Sequence, residues 1–321
     1  MHLHLMKIFK YKKMIISNIN KIMENTLIMK QKVGHFGIEL YNFDINNKEH
    51  LELLPELLNE YLVLIIKGNI ISNKDQIQLA SIFGEITIAH PVVKGNGEHP
   101  EILLVDGLKG GKNAKWHTDV SFLENPHATS ILVCDEIPEV GGDTLWTDLR
   151  SSYQNINETM KPFLNRLEAV HNVTPLAYWG EPFNECSFSM EKMKDIYEES
   201  KKMIPVIHPV VRIHPRTYEP CFFVNQGFTS HILSLSQIES DNILKLIYEH
   251  TTQPEYILRH KWEKNDIVIW DNICTAHYAI NDYYHSRKMR RVTVKGDLPF
   301  GFNDIKSRKI EYPLQRFHYS V

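Results

Sequence analysis

The sequence predicts an α+β domain built on a β-sandwich or barrel. Three observations support this fold class. Many short runs are rich in β-branched and aromatic residues. Amphipathic segments lie mainly before and between those runs. No internal repeat, low-complexity linker or change of composition marks a domain boundary. With 43% hydrophobic and 23% charged residues, the 321-residue chain can bury a sizeable core. We therefore predict one domain over residues 33–321.

Helices are predicted where apolar residues recur at helical spacing. Residues 49–60 are amphipathic despite Pro55, and residues 73–83 begin at a polar cap and end before Gly84. Further helices are expected at residues 151–170, with Pro162 as an interruption, and at residues 236–250. A polar, helix-prone insertion is expected at residues 187–203.

Strands are predicted where short apolar runs lie between turn residues. The runs are residues 34–40, 61–67, 102–105, 129–133, 144–147, 206–213, 221–224, 266–270 and 291–294. Several of them are apolar throughout, which is typical of strands that are buried on both faces.

Residues 1–32 differ from the rest of the chain. Five lysines precede the first acid, Glu24, but there is no continuous apolar core and no small-residue cleavage site, so a secretory signal is not indicated. The stretch also lacks the arginine of a transit peptide. We predict a disordered or mis-called N-terminal extension, and Met23 and Met29 are alternative starts.

Charge and composition exclude several functional classes. The net charge of -3 does not fit a general nucleic-acid binder, and runs such as residues 62–66 are far shorter than the roughly 20 residues of a membrane span. The four cysteines are widely spaced without a CxxC pair, which argues against a structural zinc cluster or a disulfide framework. We predict a cytoplasmic protein without nucleic-acid or membrane partners.

The sequence Trp116-His117-Thr118-Asp119 is the sharpest local motif. Side chains alternate along extended backbone, so His117 and Asp119 face one way and Thr118 faces the other. One imidazole, one carboxylate and a distant histidine form the facial triad of non-haem iron(II) oxygenases. The motif alone is weak, because a strand histidine and a turn-capping aspartate would look the same.

Five motifs along the chain together resemble the taurine dioxygenase family of 2-oxoglutarate-dependent hydroxylases (TauD/TfdA-like). They are WHTDVSF, GGDTLWTD, FVNQGF, WDN…HYA and RRVTVKGDLPF, and the resemblance runs from about residue 34 to residue 300. It implies a double-stranded β-helix (jelly-roll, cupin-like) core flanked by helices. It also implies iron(II) bound by His117, Asp119 and His277, with 2-oxoglutarate and dioxygen as co-substrates. The presence of Asp119 implies hydroxylation rather than halogenation.

Two arginines in the last motif region are candidates for binding anions. Arg287 and Arg291 are four residues apart, so on a strand they share a face, and a guanidinium can bind a carboxylate through two parallel hydrogen bonds. The resemblance implies that Arg287, helped by Thr144, binds the far carboxylate of 2-oxoglutarate. It places Arg291 at the anionic head of the substrate. A solvated basic strand end is the alternative.

The resemblance also implies a substrate pocket. His90 and the Val120 amide would meet the anionic head with Arg291, although His90 could also be a hydrogen-bonded loop histidine. Aromatic pocket walls correspond to Phe122 and Phe228. Asn113 lies four residues before the metal-binding motif and corresponds to a polar residue that meets an amine.

Two departures from the family pattern concern the pocket. Val93 and Ala177 stand where the family has bulky aromatic residues, with Tyr178 next to the second position. Smaller walls imply room for a larger substrate. The expected reaction is hydroxylation of a small anionic molecule, with a sulfonate such as taurine giving aldehyde and sulfite beside succinate and carbon dioxide. An alkyl sulfate, an aryloxyacetate or other carboxylate, a biosynthetic intermediate and a catalytically silent binding protein are the alternatives. Similar enzymes often form homo-oligomers, which we expect here too.

Overall fold

The computed structural model of the chain describes residues 28–93, 95, 97–106, 115–173 and 198–311. The helices are α1 (Lys48–Glu52), α2 (Leu54–Tyr61), α3 (Asn73–Ser81), α4 (Leu149–Asn155), α5 (Lys161–Leu164) and α6 (Gln237–Thr251), and Pro254–Tyr256 forms a 3-10 turn. The strands are β1 (Met29–Val33), β2 (Gly37–Tyr41), β3 (Val63–Ile66), β4 (Leu103–Asp106), β5 (Thr129–Glu136), β6 (Thr144–Asp148), β7 (Glu168–His171), β8 (Val206–Pro209), β9 (Val211–Ile213), β10 (Pro220–Phe222), β11 (Thr229–Ile232), β12 (Ile257–His260), β13 (Ile267–Asp271), β14 (Thr275–Ala279), β15 (Lys288–Val294) and β16 (Arg308–Lys309).

A seven-stranded sheet in the order β1-β2-β3-β13-β5-β15-β4 is the largest layer. Strand β13 lies at its centre and pairs antiparallel with both β3 and β5, while β2 and β3 run parallel. Smaller sheets have the orders β11-β7-β8-β16, β12-β6-β14 and β10-β9. Mixed helix and sheet in several layers confirms the predicted α+β architecture.

Both faces of the seven-stranded sheet are covered, and successive residues of its central strands face opposite layers. In β3, Leu64 packs in a cluster with Leu54 and Leu58 of α2, whereas the next residue, Ile65, packs in the cluster that contains Trp146 of β6 and Phe222 of β10. Helices α2 and α3 therefore cover one face, while the smaller sheets, with α4, α5 and α6, contribute to the core on the other. Burial on both faces explains the continuously apolar runs of the central strands.

Three predicted elements differ from the observed ones because of prolines and pairing. The predicted helix over residues 49–60 is two helices, since Pro55 fits only the first turn of a helix and α2 starts just before it. Residues 151–170 form α4 and α5, but their last part is strand β7, which pairs with β8 and β11. Tertiary pairing outweighs local helical spacing there. The predicted strand over residues 206–213 is divided between β8 and β9, which lie in different sheets.

The predicted boundary of the N-terminal extension is also wrong at its end, because Met29–Val33 form β1 and pair with β2. The first four side chains of this edge strand are exposed, so no apolar pattern marks it, and its main-chain hydrogen bonds hold it. Residues 1–27 lie outside the described residues, as do residues 187–197 of the predicted insertion. Among the helices that the structure describes, each is too short or too polar to cross a bilayer.

Candidate active site

His117, in the Trp116–Asp119 motif, pairs through its main chain with His277 of β14. The His117 amide donates to the His277 carbonyl at 3.1 Å, and the His277 amide donates to the His117 carbonyl at 2.8 Å. This reciprocal pair brings the two rings to a centroid distance of 4.1 Å. His277 thus lies on a strand that pairs with β6, although the sequence had not indicated a strand there.

The alternation predicted for the motif is present. The Thr118 hydroxyl points away from the histidines and donates to the Thr275 carbonyl at 3.0 Å. Asp119 turns back towards them: its Oδ1 lies 3.8 Å from Nε2 of His117 and 3.9 Å from Nε2 of His277. One ligand atom from each of His117, Asp119 and His277 lies within 4.8 Å of the others, and all three residues are buried. We call these three residues the His-Asp-His group.

Hydrogen bonding and burial keep the His117 and His277 imidazoles in the neutral form that can bind a metal ion. His117 Nδ1 lies 2.9 Å from the Lys115 carbonyl, which can only accept, so Nδ1 carries the proton and Nε2 keeps its lone pair. Burial lowers the pKa of His117, and burial together with the neighbouring His117 lowers the pKa of His277 to about 3. Both rings are therefore neutral near pH 7, which is the form that binds metals.

Asp119 remains ionised despite its burial. Burial alone raises its pKa, but the Arg291 guanidinium and the two histidines hold the pKa well below its usual range. Arg291 Nη1 donates to Asp119 Oδ1 at 2.6 Å, and the Ser130 hydroxyl donates to Oδ2 at 3.0 Å. The oxygen that faces the histidines is thus the one that Arg291 contacts.

These donors fit a metal ion. Two neutral imidazoles and one carboxylate form the donor set of a facial iron(II) site. His277 Nδ1 is buried without a hydrogen-bond partner among the described residues, so no protein hydrogen bond there fixes its tautomer. Gly227 closes the other side of His117, and a Cβ atom at Gly227 would lie 2.8 Å from the His117 Cβ. A side chain at position 227 would therefore force His117 or its surroundings to shift.

Val120, next to Asp119, has an unusual backbone conformation. Its φ is +48° although the residue is β-branched, and it is only 1% exposed. Left-handed backbone at such a residue costs about 1–3 kcal/mol and persists only where the surroundings impose it. The strain lies at the one amide that the sequence analysis had assigned to the substrate.

Arg287 is a buried cation without a carboxylate partner among the described residues. Its Nε donates to the Gly142 carbonyl at 3.0 Å and its Nη2 to the Thr144 hydroxyl at 3.3 Å. Burial lowers its pKa, and its guanidinium lies 5.9 Å from the Tyr283 ring. Gly142 has φ +77°, and a Cβ there would press on the Arg287 side chain. A buried guanidinium whose hydrogen-bond acceptors, within the described residues, are neutral is suited to bind an anion.

Two phenylalanine rings pack beside His117. Phe228 lies edge-on to His117 with ring centroids 6.0 Å apart, and Phe122 lies 5.0 Å from Phe228. His90 is buried 6.2 Å from Phe122, and its Nδ1 accepts from the Val92 amide at 3.2 Å. The structure brings these predicted pocket residues together beside the His-Asp-His group.

Comparison with known proteins decides the family. Residues 27–293 match the taurine catabolism dioxygenase TauD, TfdA family. The chain belongs to this family. It is 31% identical over 287 residues to an alkylsulfatase from Acinetobacter baylyi, covering 88% of this chain and 89% of the relative. It is also 31% identical over 280 residues to an alpha-ketoglutarate-dependent sulfate ester dioxygenase from Pseudomonas putida, covering 86% of this chain and 91% of the relative.

Solved structures superpose on the chain. A taurine dioxygenase from Burkholderia xenovorans has a TM-score of 0.74 at 29% identity and covers 88% of this chain and 95% of its own. AAD-2 in complex with Mn(II) and N-oxalylglycine has a TM-score of 0.68 at 26% identity, covering 85% and 99%. The protein is therefore a dioxygenase that uses iron(II), 2-oxoglutarate and dioxygen on a small-molecule substrate.

Two of the sequence predictions fall outside what the structure describes in this dioxygenase. Asn113, expected to meet a substrate amine, and Ala177, expected to enlarge the pocket, both lie beyond the described residues. Val93 is described and is half-buried.

The sequence analysis missed two polar residues that contact Asp119. Ser130 bonds its carboxylate, and Asn272 bonds its main chain. The WDN motif contained Asn272, but its contact with Asp119 spans 153 residues, so only the fold reveals it.

Proposed function

We propose that this dioxygenase hydroxylates the carbon next to the sulfate group of a small alkyl sulfate ester. The hydroxylated carbon then loses the sulfate, which yields an aldehyde and inorganic sulfate. One atom of dioxygen enters the new hydroxyl group and the other enters succinate, which forms with carbon dioxide from 2-oxoglutarate. The observation that carries the proposal is the position of Arg291: it lies at the metal-facing carboxylate, and its Nε is buried without a hydrogen-bond partner among the described residues.

His117, Asp119 and His277 would hold the iron, which supplies the oxidising chemistry when bound. Their neutral imidazoles and ionised carboxylate need to lose no proton near pH 7, and this supports the assignment. Arg287 and Thr144 would hold the far carboxylate of 2-oxoglutarate. The absence of an ion pair at Arg287, within the described part of the chain, supports that role, because the bound carboxylate would neutralise a buried charge.

Arg291, His90 and the Val120 amide would bind the anionic head of the substrate. With the head at Arg291, the carbon chain would lie against the Phe122 and Phe228 rings, which pack beside His90. Apolar walls favour an alkyl chain over the short amine of taurine. The two relatives of highest identity given above are both named for sulfate esters, which supports the sulfate head.

A sulfonate such as taurine is the second candidate substrate. The structural similarity to a taurine dioxygenase favours it, and a sulfonate presents the same three oxygens to Arg291. Its hydroxylation would release sulfite instead of sulfate, so the two candidates have different inorganic products.

The test uses two substrates with the same carbon chain, hexyl sulfate and hexanesulfonate, together with taurine. Purified protein with iron(II), ascorbate, 2-oxoglutarate and oxygen is assayed for succinate, sulfate and sulfite. We expect succinate and sulfate to rise together with hexyl sulfate. Stoichiometric sulfite from taurine or hexanesulfonate, with no sulfate from hexyl sulfate, would replace the sulfate ester by the sulfonate. No succinate under any condition would overturn the catalytic assignment.

We also propose that the sheets form a double-stranded β-helix. The shared core between the seven-stranded sheet and the β12-β6-β14 sheet supports this arrangement. A cytoplasmic location and a homo-oligomeric state are further proposals. Free, buried thiols at Cys134, Cys221 and Cys274 are compatible with a reducing compartment. Light scattering of the purified protein tests the oligomeric state.

A further inference from the structure

Asn272 makes an unusual set of hydrogen bonds to the main chain of Asp119. Its Oδ1 accepts from the Asp119 amide at 2.9 Å, and its Nδ2 donates to the Asp119 carbonyl at 3.1 Å. The same Nδ2 donates to the His127 carbonyl at 2.9 Å, and the residue is fully buried. This pattern fixes the orientation of the amide, because a flipped amide would place its oxygen against two carbonyls.

The Asn272 side chain takes the place of a strand partner. His117 pairs with the main chain of His277, Thr118 reaches the Thr275 carbonyl through its hydroxyl, and Asp119 pairs with the Asn272 side chain. His117 is paired through its main chain, whereas Thr118 and Asp119 are held by hydrogen bonds that involve side chains. The backbone then turns at Val120 with its positive φ.

Asn272 also joins the segment that contacts the Asp119 carboxylate. Its bond to the His127 carbonyl ties it to the chain just before β5, and its own amide donates to the Ala128 carbonyl. Two residues further on, the Ser130 hydroxyl bonds Asp119 Oδ2. One side chain therefore connects the segments that present His117, Asp119 and Ser130 with the β13–β14 turn that leads to His277.

We propose that Asn272 is a positioning residue for metal binding: it holds the Asp119 main chain so that Oδ1 faces the two histidines, and it maintains the strained Val120 conformation. The proposal rests on the metal site described under the proposed function. Without Asn272, Asp119 and Val120 can relax, and the carboxylate no longer meets the imidazoles in a fixed geometry. Outer partners of this kind typically change metal affinity by about 10- to 100-fold.

The test compares Asn272→Ala and Asn272→Ser with the control Gln76→Ala. Gln76 is also a fully buried carboxamide, and its Nε2 donates to the Ile131 and Arg290 carbonyls on the helix-covered face of the seven-stranded sheet. Mn(II) affinity is measured by calorimetry on metal-free protein, and thermal unfolding is measured for each variant. The apparent KM for 2-oxoglutarate is measured at saturating iron.

We expect both Asn272 variants to bind Mn(II) about 10- to 100-fold more weakly, with a KM for 2-oxoglutarate within twofold of wild type. Gln76→Ala should lose thermal stability but keep its Mn(II) affinity. If Asn272→Ala does not fold, Asn272→Ser decides. Unchanged Mn(II) affinity in the Asn272 variants, or an equal loss in Gln76→Ala, overturns the inference alone. Wild-type protein that binds no Mn(II) overturns the metal site and the inference together.

Discussion

Two buried groups of this dioxygenase have nearly the same composition but differ in their hydrogen bonding. The first is the His-Asp-His group. The second, which we call the His-Asp-Cys group, consists of His214, Asp271 and Cys274, and its ligand atoms also lie within 4.8 Å of one another. By residue type and proximity alone, both could hold a metal ion.

In the His-Asp-Cys group, the histidine and the aspartate are already hydrogen-bonded to other protein groups. His214 Nδ1 accepts from the Arg216 and Thr217 amides, and its Nε2 lies 3.0 Å from Asp271 Oδ2. Arg216 Nη2 donates to the same oxygen at 2.9 Å, while the Ile273 amide donates to Oδ1 at 2.8 Å. Both imidazole nitrogens and both carboxylate oxygens are therefore engaged.

The Cys274 thiol completes the contrast. Burial raises its pKa well above the ordinary value, so it stays protonated and is a poor ligand. In the His-Asp-His group, by contrast, His117 Nε2 keeps a free lone pair and His277 Nδ1 has no hydrogen-bond partner among the described residues. Both oxygens of each aspartate accept hydrogen bonds, so it is the engagement of the imidazole nitrogens, rather than residue type, that separates the structural cluster from the metal site.

The largest predicted effect tests this contrast with one substitution in each group. His117→Ala should abolish turnover and Mn(II) binding, because it removes one of three ligands. His214→Ala should keep Mn(II) binding but lower the free energy of unfolding by about 1–3 kcal/mol, since it leaves two amides without an acceptor and removes one donor from Asp271. Succinate formation, calorimetry with Mn(II) and urea unfolding measure these outcomes. Retained Mn(II) binding in His117→Ala together with its loss in His214→Ala would reverse the comparison.

The sequence predicts the positions of His117 and Asp119 more readily than that of His277. Alternation along extended backbone is a local rule, so it predicted that His117 and Asp119 share a face, and the structure brings both to His277. Strands β3 and β13 were predictable because burial on both faces gives them a run of four consecutive apolar residues. The family resemblance, not any pattern, pointed to His277.

Other features depend on contacts that no local pattern records. Strand β14 has the sequence TAHYA, in which polar and apolar residues do not alternate with burial, so the sequence shows no strand periodicity there. The contact of Asn272 with Asp119 and the pairing of β7 with β8 join distant parts of the chain. The positive φ of Val120 is imposed by its surroundings, and a valine gives no sign of it.

A second prediction extends the contrast to buried cations. Arg287→Met should weaken 2-oxoglutarate binding by about 2–5 kcal/mol, or about 30-fold or more, since it removes the cation that would pair with the far carboxylate. The unliganded protein should be as stable as wild type or more so, because an apolar side chain of similar volume replaces a buried charge that has no carboxylate partner in the described part of the chain. The KM for 2-oxoglutarate and urea unfolding without ligand measure the two effects.

Arg290→Met is the matched control for that prediction. Arg290 lies three residues further along the chain, on β15, and its Nε donates to both carboxylate oxygens of Asp135 at 3.0 and 2.9 Å. Its loss should lower stability and leave the KM for 2-oxoglutarate unchanged. An unchanged KM in Arg287→Met, or an equal rise in both variants, would count against the assigned role of Arg287.

The smallest predicted effect concerns His171, a buried histidine that, like His214, has hydrogen-bond partners at both ring nitrogens. His171 contacts the Ser121 and Thr229 hydroxyls through its two nitrogens, and burial lowers its pKa to about 3. The unfolded chain binds a proton near pH 6.5 and the folded chain does not, so stability falls as the pH drops from 6.5 towards 3. Between pH 7 and pH 5, His171 should account for about 2 kcal/mol of the loss. In urea unfolding of the metal-free protein, His171→Gln should lose about 2 kcal/mol less stability than wild type between pH 7 and pH 5. His285→Gln, at an exposed histidine, should lose as much as wild type. Equal pH dependence in wild type and His171→Gln would mean that His171 has the same pKa in the folded and the unfolded chain, so burial would not keep it neutral.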